Sequence, residues 1–226
     1  MRTLWGRPVS RRKLVAASIL SVILFSPLAS LLTFAQPGHA PDEELIQVLN
    51  QLSSLHGEFS QLQYDTDNVL LGQSSGTFSM LRPGYFSWRI ESPDSQLIIA
   101  TPEFIWHHDI DLETVTRRPI AKSGALSPLQ ILGGNKDLLR SQFVISKNTA
   151  GDFILTPDSE AGDGNPGFSS LTLKLENSDL TGMEIIDALN QRVVISFENV
   201  DKSQELSPED FSFTPPEGVD LFYYDE

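Results

Sequence analysis

The run Ile105-Trp106-His107-His108-Asp109-Ile110-Asp111 holds the densest set of chemistry-bearing side chains in the sequence. On a strand, His107, Asp109 and Asp111 share a face, and an imidazole with two carboxylates is a set that a divalent metal accepts. The opposing reading is a strand running into a turn, where aspartate is favoured and histidine is solvent-exposed. The two other histidines, His39 and His56, stand tens of residues away, so no metal and no other cofactor is expected. Covalent catalysis has less still to work with. The chain has no cysteine, no Gly-x-Ser-x-Gly elbow and no glycine-rich phosphate loop. No carboxylate pair stands out as an acid and its base, and enzymatic activity is not expected.

A different chemistry is written between residues 78 and 90. Counting by twos places Phe78, Met80 and Arg82 on one face before the turn Arg82-Pro83-Gly84. Beyond the turn, Phe86, Trp88 and Ile90 again share a face, and Ile98 and Trp106 are grouped with them. Such a row suits either a packed core or a ligand cavity, and on frequency alone the core is favoured. Arg82 is the anomaly in it. Its head either snorkels into water or reaches across the mouth of an apolar face to hydrogen-bond a lid, with charge-assisted bonds worth about 1.5–3 kcal/mol each.

These residues need elements to hold them. Asp42 reads as an N-cap, followed by a helical stripe of Leu45, Val48, Leu49, Leu52 and Leu55 that Gly57 ends. The period then becomes two. Strands are predicted over 58–64, 76–81, 85–91, 96–100, 104–108, 114–116, 142–146, 153–156, 169–175, 182–187, 192–199 and 211–213. Ser127 as N-cap and Pro128 at the first helical position announce a short helix carrying Leu129 and Leu132. The stretch 158–167 reads as a Gly/Asp-rich loop. So many short strands curl or close to hide their edges. The fold expected is therefore mainly β, one long antiparallel sheet that curls or closes, with short helices to cover its concave apolar face.

The N-terminus stands apart from this pattern. Arg2, Arg7, Arg11, Arg12 and Lys13 precede an uncharged stretch from Leu14 to Ala35, interrupted by Pro27. This is the layout of a secretory signal peptide over residues 1–35, with cleavage after Ala35 or as late as Ala40. Residues 36–226 then form a single exported domain. All 30 acidic residues follow the leader, with eleven of the 16 basic ones, for a formal charge of about −19. A chain this acidic is repelled by nucleic acid. Without cysteine it has neither disulfides nor an acylation site for a lipoprotein anchor.

Leu81-Arg82-Pro83-Gly84-Tyr85-Phe86-Ser87-Trp88 resembles the R-P-x-x-F-x-W signature of the periplasmic outer-membrane lipoprotein carrier family, LolA. Phe59-Ser60-Gln61, the Ile105–Leu112 run, Ser127-Pro128-Leu129-Gln130-Ile131-Leu132 and Phe211-Ser212-Phe213-Thr214-Pro215-Pro216 follow that family's order over residues 42–221. His108 departs from it, standing where tyrosine is usual. The resemblance implies an incomplete (unclosed) antiparallel β-barrel covered by short lid helices, in a monomeric periplasmic chaperone with a hydrophobic cavity for the acyl chains of triacylated lipoproteins. Its partners would be an inner-membrane ABC transporter that releases the cargo and an outer-membrane receptor lipoprotein that takes it. It implies a latch role for Arg82, a cavity of Phe78, Met80, Phe86, Trp88, Ile90, Ile98 and Trp106, and a lid of Leu45, Leu49, Leu52, Leu129 and Leu132. A same-fold binding protein or sensor for another envelope lipid is the alternative.

Overall fold

The computed structural model describes residues 40–120, 128–133, 136–158 and 167–224. The predicted leader, the N-cap Ser127 and positions 159–166 of the predicted loop lie outside the described residues.

The first helix, α1 (Pro41–Gln51), starts two residues earlier than its sequence suggests. Pro41 occupies the first turn, where its missing N–H costs nothing, and Ala40 takes the N-cap position without a side-chain bond. Asp42 is therefore not the cap. It lies in an acidic first turn with Glu43 and Glu44, the end at which the helix dipole favours negative charge. Leu45, Ile46 and Leu49 form the buried stripe. Leu52 closes the helix, its N–H donating to Leu49 O. Leu55 and Gly57 belong to the following strand instead, because spacings of three continue a helix or bridge a helix to a strand equally well.

The sheet runs through β1 (Ser54–Tyr64), β2 (Leu70–Leu81), β3 (Tyr85–Ser92), β4 (Gln96–Ala100), β5 (Phe104–Asp109) and β6 (Thr114–Pro119). Two short helices follow, α2 (Pro128–Gly133) and α3 (Lys136–Gln142), the second of them absent from the sequence expectation. The chain then resumes the sheet with β7 (Phe143–Lys147), β8 (Phe153–Pro157), β9 (Phe168–Glu176), β10 (Asp179–Asp187) and β11 (Arg192–Asp201). A last strand, β12 (Asp220–Tyr223), pairs parallel to β6; the other ladders are antiparallel. The order is β12-β6-β5-β4-β3-β2-β1-β11-β10-β9-β8-β7, a twelve-stranded sheet that curls without closing. The strand expected at 211–213 is instead a 3-10 turn over Pro208–Phe211 followed by extended chain. The Asp210 carboxylate accepts from both the N–H and the O–H of Ser207, which fixes that turn.

Glycines allow close approaches within the sheet. A Cβ at Gly76 would lie 1.8 Å from the backbone oxygen of Arg89, so β2 and β3 approach there as no other residue allows. At Gly57 a Cβ would meet the Phe78 ring at 3.0 Å, which explains a glycine in mid-strand rather than at a helix end.

The inner face of the sheet packs against the helices in the main core, where Leu45, Leu49 and Leu52 meet Phe78, Met80, Phe86 and Trp88. A smaller core on the outer face joins Leu97 and Ile99 to Phe211, flanked by Tyr85, Trp106 and Phe213.

Candidate functional site

The site is the inner face of β1–β4 and β11 with the helices above it. Residues there are fixed by cross-strand register: Phe78 pairs with Trp88, Trp88 with Ile98, and Ile98 with His107. Trp88 is the hub. Its ring stacks on Phe59 at 3.6 Å and 22°, lies 5.8 Å from Phe86 and 6.1 Å from Phe78, and meets Phe197 edge-on at 6.4 Å. Aromatic pairs in these geometries add about 0.5–1.5 kcal/mol beyond area burial. The predicted residues Phe78, Met80, Phe86 and Trp88 are each at most 3% exposed. Ile90 and Ile98 are partly buried and pack against them.

Trp106 does not join this face. Register places it opposite Ile99 and Arg117, on the outer side, with Phe213 at 5.3 Å and Tyr223 at 6.3 Å. The inward residues of β5 are Ile105 and His107, paired with Ala100 and Ile98. Parity cannot be carried through the Thr101-Pro102-Glu103 turn, since the register across a hairpin is set by its turn. Phe59 and Phe197 are the contributors that sequence reasoning missed. The alternation Val193, Ile195, Phe197 on β11 was the available signal, but nothing local pairs it with Trp88.

Above the face, Leu45, Leu49, Leu52, Ile131 and Leu132 are all buried; the side chain of Leu129 lies outside the described residues. The turn that begins at Arg82 ties these covers together. The Arg82 backbone N–H donates to Ser53 O at 2.8 Å, just past α1. The Arg82 guanidinium donates through Nη2 to Leu132 O, and the Gly84 N–H donates to Gly133 O at 3.2 Å. Both carbonyls end α2, where a helix has no N–H donors of its own for them and a cation is favoured. Gly84 reaches this position at φ 86°, in the region that glycine enters freely. Burial pushes the Arg82 pKa down to about 10, so it remains charged at neutral pH. Its Nε is buried without a hydrogen-bond partner.

The histidine and aspartate run is spent on local bonds. Asp109 accepts from the Leu112 N–H at 3.0 Å, Asp111 accepts from the Ser95 N–H at 2.8 Å, and His107 Nε2 lies 3.0 Å from Gln96 Oε1. Burial holds His107 below the usual imidazole range against the opposing pull of Asp109, with Arg118 and His108 adding to the depression. His108 turns outward, 5.9 Å from the Phe213 ring. Among the described residues, no three histidine, aspartate or glutamate side chains converge to hold a metal. What the arrangement can do is bind: it presents a continuous apolar surface under helices held by a few breakable polar contacts.

Comparison with known proteins agrees in kind. The family model described as outer membrane lipoprotein carrier protein LolA matches residues 50–214. The outer-membrane lipoprotein carrier protein of Azotobacter vinelandii is 32% identical over 206 residues, 90% of this chain and 98% of its own. That of Dechloromonas aromatica is 32% identical over 204 residues, 90% and 97% of the respective chains. A crystallised protein domain from Vibrio parahaemolyticus shares the fold over 76% of this chain and 95% of its own, at 9% identity and a TM-score of 0.50.

Proposed function

Since the chain belongs to the outer-membrane lipoprotein carrier family LolA, we propose that it binds the acyl chains of lipoproteins released from the inner membrane and carries them across the periplasm to an outer-membrane receptor. The observation that carries this reading is the apolar inner face lying directly beneath helices that the Arg82 turn secures.

The energetics explain why a carrier is needed. Each CH₂ of an acyl chain exposed to water costs about 0.8 kcal/mol. Three chains of roughly fifteen carbons would cost on the order of 30 kcal/mol, so a free triacylated protein does not cross an aqueous compartment. In the empty carrier the lid leucines and Ile131 satisfy the face that Phe78, Met80, Phe86 and Trp88 present. Acyl chains take their place when the bonds from Arg82 to Leu132 O and from Gly84 to Gly133 O are given up. A ligand opens the lid only by the difference in its affinity for the open and closed states. The closed packing thus sets the energy returned at delivery, and no bond-making step is involved. An inner-membrane ABC transporter would load the carrier, and a receptor lipoprotein binding the chains more tightly would unload it.

The test is release from membranes. Incubated with spheroplasts, the purified protein should bring lipoprotein into the soluble fraction as a one-to-one complex. A soluble fraction without lipoprotein, or with a free glycolipid in the complex instead, overturns the reading.

A further inference from the structure

One end of the sheet carries an apolar tip that the cargo site does not use. At the β1–β2 hairpin, Val69, Leu70 and Leu71 follow one another at 57%, 49% and 53% exposure, and Leu189 on the adjacent β10–β11 turn is 72% exposed. Four large aliphatic side chains left in water at neighbouring turns are unusual for a soluble surface. The two turns share one design. Asp65 accepts from the N–H groups of Asp67 and Val69, and Asp187 accepts from those of Leu189 and Gln191. Asn68 and Asn190 each take a left-handed conformation, with φ 61° and 60°. The turns are also tied to each other: Arg192 Nη2 donates to Asn68 Oδ1 at 3.3 Å, and Gln63 Nε2 to Gln191 Oε1 at 3.4 Å. The tip is therefore built and held, not left over.

We propose that this tip inserts shallowly into a phospholipid bilayer surface. Three features favour lipid over a protein groove. The patch is a projecting pair of turns, so its complement must deform around it. The carboxylates of Asp65 and Asp187 are taken up by N–H groups of their own turns, which leaves Asp67 as the exposed acidic residue beside the aliphatic groups. Arg192 opens the strand after the second turn, its guanidinium 4.3 Å from the Tyr64 ring centre and 3.9 Å from a Glu184 carboxylate oxygen, and would meet lipid phosphates if the aliphatics entered the acyl boundary. The formal charge of −14 opposes adsorption on an anionic surface, so contact must come from apolar insertion. This inference is independent of the cargo and would let the carrier touch either membrane without opening its lid.

The absence of native cysteine makes the test direct. Protein purified from the exported fraction, carrying Leu70→Cys labelled with an environment-sensitive fluorophore, is mixed with cargo-free phosphatidylcholine vesicles. The expected results are a blue shift of the label and vesicle co-flotation that falls at least about tenfold in a Val69→Ser/Leu70→Ser/Leu71→Ser/Leu189→Ser variant. Raising the fraction of phosphatidylglycerol at low salt should weaken binding. An unshifted label, equal flotation of the variant, or tip-dependent self-association in place of vesicle binding overturns the proposal. Circular dichroism of the variant, whose substitutions are all at exposed sites, establishes that it is folded.

Discussion

Arg82 puts a buried charge against a helix-end carbonyl, Leu132 O, while one of its own N–H groups, Nε, goes unpartnered. Such a residue is weak evidence for stability, because taking a guanidinium out of water costs several kcal/mol and an unmet donor adds to that cost. A leucine there would lose the bond to Leu132 O and shed the desolvation penalty at the same time. Arg82→Leu is therefore expected to leave the melting temperature unchanged or slightly higher. It should also change cargo handling: the variant accepts lipoprotein but passes it to the receptor poorly, since the closed state no longer favours release. Thermal unfolding and receptor transfer, measured on the same preparation, separate the two roles. A drop of many degrees would make Arg82 a structural residue, and normal transfer would end the latch reading. The sequence disclosed Arg82 because a permanent charge in an apolar row is conspicuous, but not its acceptors. Leu132 O and Ser53 O are backbone atoms, and no side-chain pattern announces them.

At the scale of elements, what was legible is what alternation governs locally. Phe78, Met80, Phe86 and Trp88 flank one tight turn, so their common face could be counted. Trp106 lies two turns further on, and its side of the sheet depended on a register that the count does not contain. The helix α3 stayed hidden in a short, mixed stretch, whereas the 3-10 turn over Pro208–Phe211 had a signal in Ser207-Pro208 and Asp210 that the Phe211/Phe213 alternation outweighed. The opposite placement of the two tryptophans supplies a measurement. Once the predicted leader and Trp5 are removed, Trp88 reports the inner face and Trp106 the outer one. Brominated acyl chains are expected to quench Trp88 strongly in a Trp106→Phe variant and to leave Trp106 nearly unchanged in a Trp88→Phe variant. Equal quenching of both would place the chains elsewhere. Because Trp88 is stacked at 3.6 Å on Phe59, its emission should also move to the red when the helices lift.

The whole molecule has to manage an open sheet, and its two edges are treated differently. The β7 edge lies beside α1 and α3, with Lys147 bonded to Glu44 at 2.6 Å and Arg140 to Asp42 at 3.2 Å. The other edge is closed off by β12, a strand of only four residues, all exposed. A short edge strand beginning with Asp220 is a poor template for another chain, whereas the longer β6 behind it would be a good one. The strand also anchors its neighbours, because the guanidinium of Arg117 lies 4.5 Å from the Tyr223 ring centre and that of Arg118 lies 4.7 Å from that of Tyr224. Cation–π contacts at exposed sites contribute about 0.5–1 kcal/mol each. Ending the chain after Val219 removes both of them and four ladder pairs. For a domain of this size, a loss of about 2 kcal/mol lowers the melting temperature by roughly 4–8 °C. The truncated protein should also aggregate with rising concentration through the bared β6 edge, which light scattering would detect. Its affinity for acyl chains should remain, because β12 lies on the far side of Trp106 from the inner face. A truncated protein that melts and scatters like the full chain would show that the edge needs no cover, and one that loses acyl binding would tie the C-terminal strand to the cargo site.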